Sequence, residues 1–287
     1  MKSCIITTLA LVLTAAASFA GSTINPAASL AWSANLGWTN WRPSSADGVV
    51  TGEYVCSGYI YGANVGWINL GSGNPTDHIR YSNTTGQDSG VNLQPGGLLR
   101  GLAWGANIGW VNFETTGNPR LNLHTGRLSG FAWSVNAGWI SLDDGAANFI
   151  ATLSLPAGPD TDADSLPDAW EYATAGNLTK LTATGDADSD GASDAAEYLA
   201  ATNPLLPADL LEMQDQQFLF RSNRAVLTWT SQPTRCYRIF SSTDLQNWTL
   251  SADNILPAAG PSTSLTVAMP AGARRFYRVD VFRPLAP

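Results

Sequence analysis

Four segments in the first half of the chain repeat one order of apolar, small and polar positions. AWSANLGWTNW from Ala31, IYGANVGWINL from Ile60, AWGANIGWVNF from Ala103 and AWSVNAGWISL from Ala132 align as an aromatic, two small residues, Asn, any residue, Gly-Trp and a short strand. The glycines at 37, 66, 109 and 138 are spaced by 29, 43 and 29, which gives two pairs of units with an extra segment of about fourteen residues between them. Repetition at this period predicts units that bury apolar faces against each other.

Within a unit the apolar residues flank Asn-x-Gly. This predicts a β-hairpin whose turn uses Asn as a local hydrogen bonder and Gly at positive φ. The ring before the turn and the Trp after it are six apart: Trp32 and Trp38, Tyr61 and Trp67, Trp104 and Trp110, Trp133 and Trp139. A three-residue loop, or a type I turn closed by a Gly bulge, places both rings on one face; a two-residue loop would split them. Turn signals at Gln94-Pro95-Gly96-Gly97 and His124-Thr125-Gly126-Arg127 make each unit a short meander.

Beyond Leu155-Pro156-Ala157-Gly158-Pro159 the pattern changes to two acidic stretches, each followed by a short helical one, Asp168 to Ala175 and Asp194 to Ala201. Alternation then returns in AVLTWT (Ala225 to Thr230) and FYRVDV (Phe276 to Val281), as expected of half-buried strands. Further strands are expected at 218–221, 237–241 and 264–268. The fold class is therefore mostly β. It comprises an expected signal peptide (1–20), an antiparallel aromatic-repeat domain (21–154), a small loop-helix connector (155–207) and a C-terminal sandwich-like β domain (208–287).

The acidic stretches carry the chemistry. Asp160 to Glu171 (DTDADSLPDAWE) and Asp186 to Glu197 (DADSDGASDAAE) place acids at positions 1, 3, 5, 9 and 12 of twelve, with starts 26 residues apart. Ca²⁺ takes six to eight oxygens, which alternating Asp side chains, a carbonyl at position 7 and a bidentate Glu at 12 can supply. The expected ligands are Asp160, Asp162, Asp164, the Leu166 carbonyl, Asp168 (through water) and Glu171 for one Ca²⁺. For a second they are Asp186, Asp188, Asp190, the Ala192 carbonyl, Asp194 and Glu197. Position 6 needs positive φ; Gly191 provides it freely, whereas Ser165 costs on the order of 1 kcal/mol. The second site is expected to be the tighter. Without metal the crowded acids repel, and the segment reads as too poor in apolar residues to fold. Ca²⁺ is expected to order residues 158–206.

No convincing helix precedes either loop, so each is a loop-helix unit. Residues 160–204, ending Ala200-Ala201-Thr202-Asn203-Pro204, resemble the tandem calcium repeats of dockerin and thrombospondin type 3 segments. The order of Trp229, Tyr237 and Tyr277 resembles a fibronectin type III module. The first resemblance implies either a calcium-stiffened spacer or docking onto a cohesin-like partner.

For the eight repeat aromatics two readings compete. As a core they would fill the same interior volume four times; as a surface they would stack on sugar rings. The core is expected, because an exposed row of Trp would form a large apolar patch. Trp41 lies outside the fixed pairs and is expected to be the exposed, ligand-binding ring.

Composition narrows the function. Lys2, the apolar run Ile5 to Ala17 and Ser18-Phe19-Ala20 before Gly21 read as a secretory signal, so an extracellular, cell-surface or periplasmic protein is expected. That run is too short to span a membrane, and no later stretch approaches eighteen apolar residues. Cys4 leaves with the signal; Cys56 and Cys236, in separate predicted domains, give no disulfide framework. Net charge is −8, with 10 of 23 acids in the two loops, and no basic patch supports nucleic-acid or anionic-membrane binding. His78 and His124 sit in turn-like contexts with no nucleophile motif or zinc spacing. A glycosidase needs only spatial proximity of two acids, yet most of Asp47, Glu53, Asp77, Asp88, Glu114, Asp143 and Asp144 lie beside turn residues. A non-catalytic structural or adhesive protein is expected, with a polysaccharide or a cell-surface protein as candidate partner.

Overall fold

The computed structural model describes residues 21–219, 224–268 and 275–287. The expected signal segment, 1–20, lies outside these. Among the described residues the chain is mostly β, with two short α-helices. It divides into two compact units. One runs up to Ala163 and includes Pro167–Gly176 and Leu285–Pro287; the other comprises Asp164–Leu166 and Asn177–Pro284. The predicted connector is shared between them: helix α1 (Asp168–Ala175) belongs to the first unit and helix α2 (Asp194–Ala200) to the second.

The four repeats fold as four hairpins: Ile24–Ser33 with Gly37–Asn40, Cys56–Gly62 with Gly66–Asn69, Leu98–Gly105 with Gly109–Asn112, and Phe131–Ser134 with Gly138–Ser141. They pair side by side, and the fourth closes on the first to make an eight-stranded antiparallel barrel. The junctions share one register: Thr39 faces Gly62, Ile68 faces Gly105, Val111 faces Ser134 and Ile140 faces Ser33. The sequence repeat is thus a fourfold structural repeat.

Each turn has three residues between paired positions such as Ser33 and Gly37, and the closing glycines have φ of 70 to 73°. An L-residue there would cost roughly 1–2 kcal/mol, which accounts for the invariant Gly of the repeat. The Asn is not a local turn bonder as expected. Its Nδ2 donates to the neighbouring turn: Asn35 to Ala137 O (3.1 Å), Asn64 to Leu36 O (2.9 Å), Asn107 to Val65 O (2.9 Å) and Asn136 to Ile108 O (3.2 Å). These four bonds form a closed ring that clasps the hairpins at one end of the barrel. Asn64→Ala is expected to cost about 1 kcal/mol, the usual net value of one such bond, read as a lowered urea midpoint with unchanged slope.

Strand alternation fills the barrel with modest side chains, among them Ala31, Thr39, Ile60, Ile68, Ala103, Val111, Ala132 and Ile140, all buried. Leu36, Val65, Ile108 and Ala137 close the turn end, and Trp41, Leu70, Phe113 and Leu142 floor the other. Trp41 meets Phe113 edge-on, with centroids 6.3 Å apart. The void left among these residues is only about 10 Å³, so the barrel interior is a packed core and holds no ligand.

Two expectations are corrected here. Trp41 is 2% exposed, not a surface ring, because it fills the last repeat position, occupied elsewhere by Leu70, Phe113 and Leu142. Conversely, the eight paired aromatics are not core. An eight-stranded barrel is just wide enough for ordinary side chains, and eight further rings at one level exceed that space.

The second unit carries two three-stranded antiparallel sheets, Met213–Leu219, Arg224–Thr230 and Ser262–Ala268 in one, Thr249–Ile255, Cys236–Ser242 and Phe276–Phe282 in the other. Ala225, Leu227 and Trp229 alternate into a core with Tyr237, Ile239 and Val267. Helix α2 is fastened to this unit through Arg235, which donates to Leu199 O (2.6 Å) and Tyr198 O (2.9 Å), and through Arg283, which donates to Tyr198 Oη (2.6 Å). Cationic groups at a helix C-terminus satisfy its last carbonyls. Cys56 and Cys236 are buried and form no disulfide, and burial raises the Cys56 thiol pKa to about 12. No helix among the described residues is long and apolar enough to cross a membrane.

Candidate metal centre and exposed aromatic belt

The two acidic loops have matching backbones. Position 4 is left-handed in both (Ala163 φ 60°, Ser189 φ 66°), as is position 6 (Ser165 φ 81°, Gly191 φ 98°). The N–H of position 9 donates to the carbonyl just before each loop, Asp168 to Pro159 (2.9 Å) and Asp194 to Gly185 (2.8 Å). The expected positive φ at position 6 is therefore present, and Ser165 bears its cost.

In the second loop, Asp186, Asp188 and Asp190 each offer a carboxylate oxygen, all within 4.8 Å of one another. Their other contacts shape the turn: Asp186 accepts from the N–H groups of Asp190 (3.1 Å) and Gly191 (3.0 Å), Asp188 from Asp190 N (3.2 Å) and Asp190 from Ala192 N (2.7 Å). Asp188 Oδ2 and Asp190 Oδ2 remain buried without a hydrogen-bond partner. Glu197, in the first turn of α2, is 1% exposed. Its Oε1 accepts from Thr202 Oγ1 at 3.3 Å, and its Oε2 is also buried and unpartnered.

Burial, followed by the charges of Asp190 and Asp188, pushes the Glu197 carboxyl up to about 8. Burial and the Asp188 and Asp186 charges likewise raise Asp190. Three buried, unpartnered carboxylate oxygens on acids that repel one another are a costly arrangement for the protein alone. For a hard divalent cation they are suitable donors, and its charge would reverse the sign of each penalty.

Asp194 departs from the ligand role expected of it. Its carboxylate accepts from Thr182 N (2.9 Å) and Ala187 N (3.1 Å), so it braces the loop against its own backbone. Asp168 does the same toward Thr161, through the backbone N–H (2.7 Å) and the hydroxyl, while also lying within 4.8 Å of Asp160 and Asp162. Asp164 Oδ1 accepts from Leu166 N (2.8 Å), the counterpart of the Asp190–Ala192 turn, and Glu171 is fully buried at the start of α1. Apolar burial in this stretch exceeds the expectation: Leu166, Trp170, Leu181 and Tyr198 are all buried.

The eight paired aromatics stand on the outer barrel face, each 40–48% exposed. Partners face each other in register, with centroids 4.9 Å apart for Trp32–Trp38, 5.0 Å for Tyr61–Trp67, 4.7 Å for Trp104–Trp110 and 4.9 Å for Trp133–Trp139, tilted by 58 to 63°. The three-residue-loop reading required this same-face pairing. Part of its role is structural, since cross-strand aromatic pairs add roughly 0.5–1.5 kcal/mol each. The belt was hidden from the sequence by one ambiguity: a strict alternation says which residues share a face, not which face is inside. The alternate positions (Ala, Thr, Ile, Val and Gly), sized for a narrow interior, were the available signal.

Of the histidines, His78 stacks on Tyr172 at 4.7 Å and His124 is half-buried, which lowers its pKa. Comparison with known proteins found no matching family model, no matching curated protein and no matching solved structure.

Proposed function

We propose that this is an exported, non-catalytic modular protein that binds Ca²⁺ at two loops and serves an extracellular structural or adhesive role. The observation that carries the reading is Glu197, buried with an orphaned oxygen beside Asp188 and Asp190. Asp186, Asp188, Asp190 and Glu197 would hold one ion, with Asp194 bracing the loop. Asp160, Asp162, Asp164 and Glu171 would hold the other, with Asp168 as brace and further ligand. Bound Ca²⁺ supplies charge neutralisation that lets the buried acids ionise together. In this reading the loops are thrombospondin type 3 or dockerin-like repeats, and the two C-terminal sheets a fibronectin type III-like module.

Because α2 is tied to the second unit by Arg235 and Arg283, metal at loop 186–197 stabilises that unit as well as ordering a connector. Calorimetric titration of the exported chain with Ca²⁺ tests this. Two binding events are expected, the tighter one abolished by Asp186→Ala and the weaker by Asp160→Ala. Absence of any heat at millimolar Ca²⁺ refutes the reading.

A further inference from the structure

Of the four barrel junctions, one breaks the pattern of the others. On the outer face, the residue two places after each repeat Trp lies opposite an aromatic of the next hairpin: Asn40 beside Tyr61, Asn69 beside Trp104, Asn112 beside Trp133 and Ser141 beside Trp32. At three junctions its side chain binds the backbone two residues on. Asn40 Oδ1 accepts from Arg42 N (2.9 Å), Asn69 Oδ1 accepts from Gly71 N (2.9 Å) and Ser141 Oγ donates to Asp143 O (2.8 Å). At the remaining one no such bond forms, and Asn112 Oδ1 is buried with no hydrogen-bond partner among the described residues. Arg42 and Asp143, the counterparts of Glu114, are anchored, Arg42 on Ile24 O at 2.5 Å and Asp143 on Arg127 at 2.6 Å. Glu114 is exposed and makes no ion pair among the described residues.

An open cleft of about 270 Å³ results, lined by Asn112, Glu114, Thr116, Gly117, Trp133 and Trp139. Gly117 lies flat against the platform, since a Cβ there would stand 3.1 Å from the Trp139 ring and 2.0 Å from Phe131 O. The cleft offers two half-exposed indoles tilted by 60°, the Asn112 amide, a carboxylate and a hydroxyl. An occupant suited to it presents apolar C–H surface to the rings and hydroxyl groups to the amide, the carboxylate and the Thr116 hydroxyl. A neutral pyranose has both. A quaternary ammonium would be drawn to the rings and to Glu114 but has no oxygen to pair with the Asn112 amide. A uronic acid would meet Glu114 as a like charge.

We propose that this cleft binds a neutral pyranose residue of a polysaccharide, with Trp133 and Trp139 as the stacking platform, the Asn112 amide as donor and Glu114 as acceptor. The Trp104–Trp110 pair on the adjoining hairpin extends the platform for neighbouring sugars. This site lies wholly on the barrel and is independent of the calcium reading.

The test is titration of the full exported chain with cellohexaose, maltohexaose and mannohexaose, followed by calorimetry and Trp fluorescence, with and without chelator. At least one is expected to bind saturably in both conditions. Trp133→Ala should weaken it about tenfold or more, and Asn112→Ala and Glu114→Ala about three- to tenfold each. Trp67→Ala, on another hairpin, should leave the affinity unchanged. Glu114 is exposed and unpaired, so its variant reports on binding with the fold intact. The proposal is overturned if none of the three oligosaccharides binds, if Trp67→Ala and Trp133→Ala weaken binding equally, or if tetramethylammonium or a lysine peptide binds the cleft while the sugars do not.

Discussion

Trp41→Ala is expected to lower the unfolding free energy by about 3–5 kcal/mol, the range for deleting a fully buried large aromatic. Trp38→Ala, three residues earlier, should lose only about 1 kcal/mol, because its ring is 44% exposed and contributes one cross-strand pair. The contrast follows from strand parity. Trp41 floors the barrel against Phe113 and is 2% exposed, while Trp38 stands on the outer face against Trp32. Trp41→Phe should cost far less than Trp41→Ala, since Phe113 already fills the equivalent place and the Trp41 Nε1–H is buried without a partner. Urea unfolding of the whole chain, followed by far-UV circular dichroism, measures all three. Equal losses for Trp38→Ala and Trp41→Ala would reverse the assignment of inside and outside.

The second large effect is on metal-linked stability. At free Ca²⁺ a hundred times the dissociation constant, binding should add about 2.7 kcal/mol to the unit that carries loop 186–197. Glu197→Gln should remove most of that gain. In chelator the same variant should be more stable than the parent, by on the order of 1 kcal/mol or more, because it removes a buried carboxylate facing Asp188 and Asp190. Two opposite signs from one substitution are hard to obtain from packing alone.

The pH dependence has a determined sign. With the Glu197 carboxyl raised to about 8, the metal-free folded state favours its protonated form. That contribution is fully present below the unfolded value, near 4.5, and is lost as pH rises through about 8. Metal-free stability should therefore fall between roughly pH 5 and 8. Saturating Ca²⁺ should abolish the slope, because the ion holds Glu197 ionised throughout. Thermal melts across that range, with chelator and with Ca²⁺, give the two curves.

Much of this was legible in the residues. The six-residue spacing of the ring pairs and the Gly after each turn determined hairpin loop length, and the structure has that loop and that register. AVLTWT alternation placed Ala225, Leu227 and Trp229 in one core. The acidic spacing brought Asp186, Asp188 and Asp190 together and gave position 6 its positive φ.

Other features depend on long-range geometry that no local pattern carries. Whether a ring face points in or out is decided by barrel closure, which joins Ser33 to Ile140 across more than a hundred residues. The Asn clasps join neighbouring turns in space, for instance Asn35 with Ala137, and mimic an ordinary Asn-Gly turn in sequence. Asp194 and Asp190 look alike in the motif. Only the backbone path, which brings Thr182 N and Ala187 N to Asp194, separates the brace from the candidate ligand. Glu114, an isolated acid beside a turn, gained meaning only when compared with Arg42 and Asp143 at equivalent junctions.

The most direct trial of the central reading is bound metal itself, counted after equilibrium dialysis of the whole chain against millimolar Ca²⁺. Two ions per chain are expected, with one lost in Glu197→Gln. No bound ion, or the same content in parent and variant, would contradict a cation held by Glu197 and the aspartates of loop 186–197.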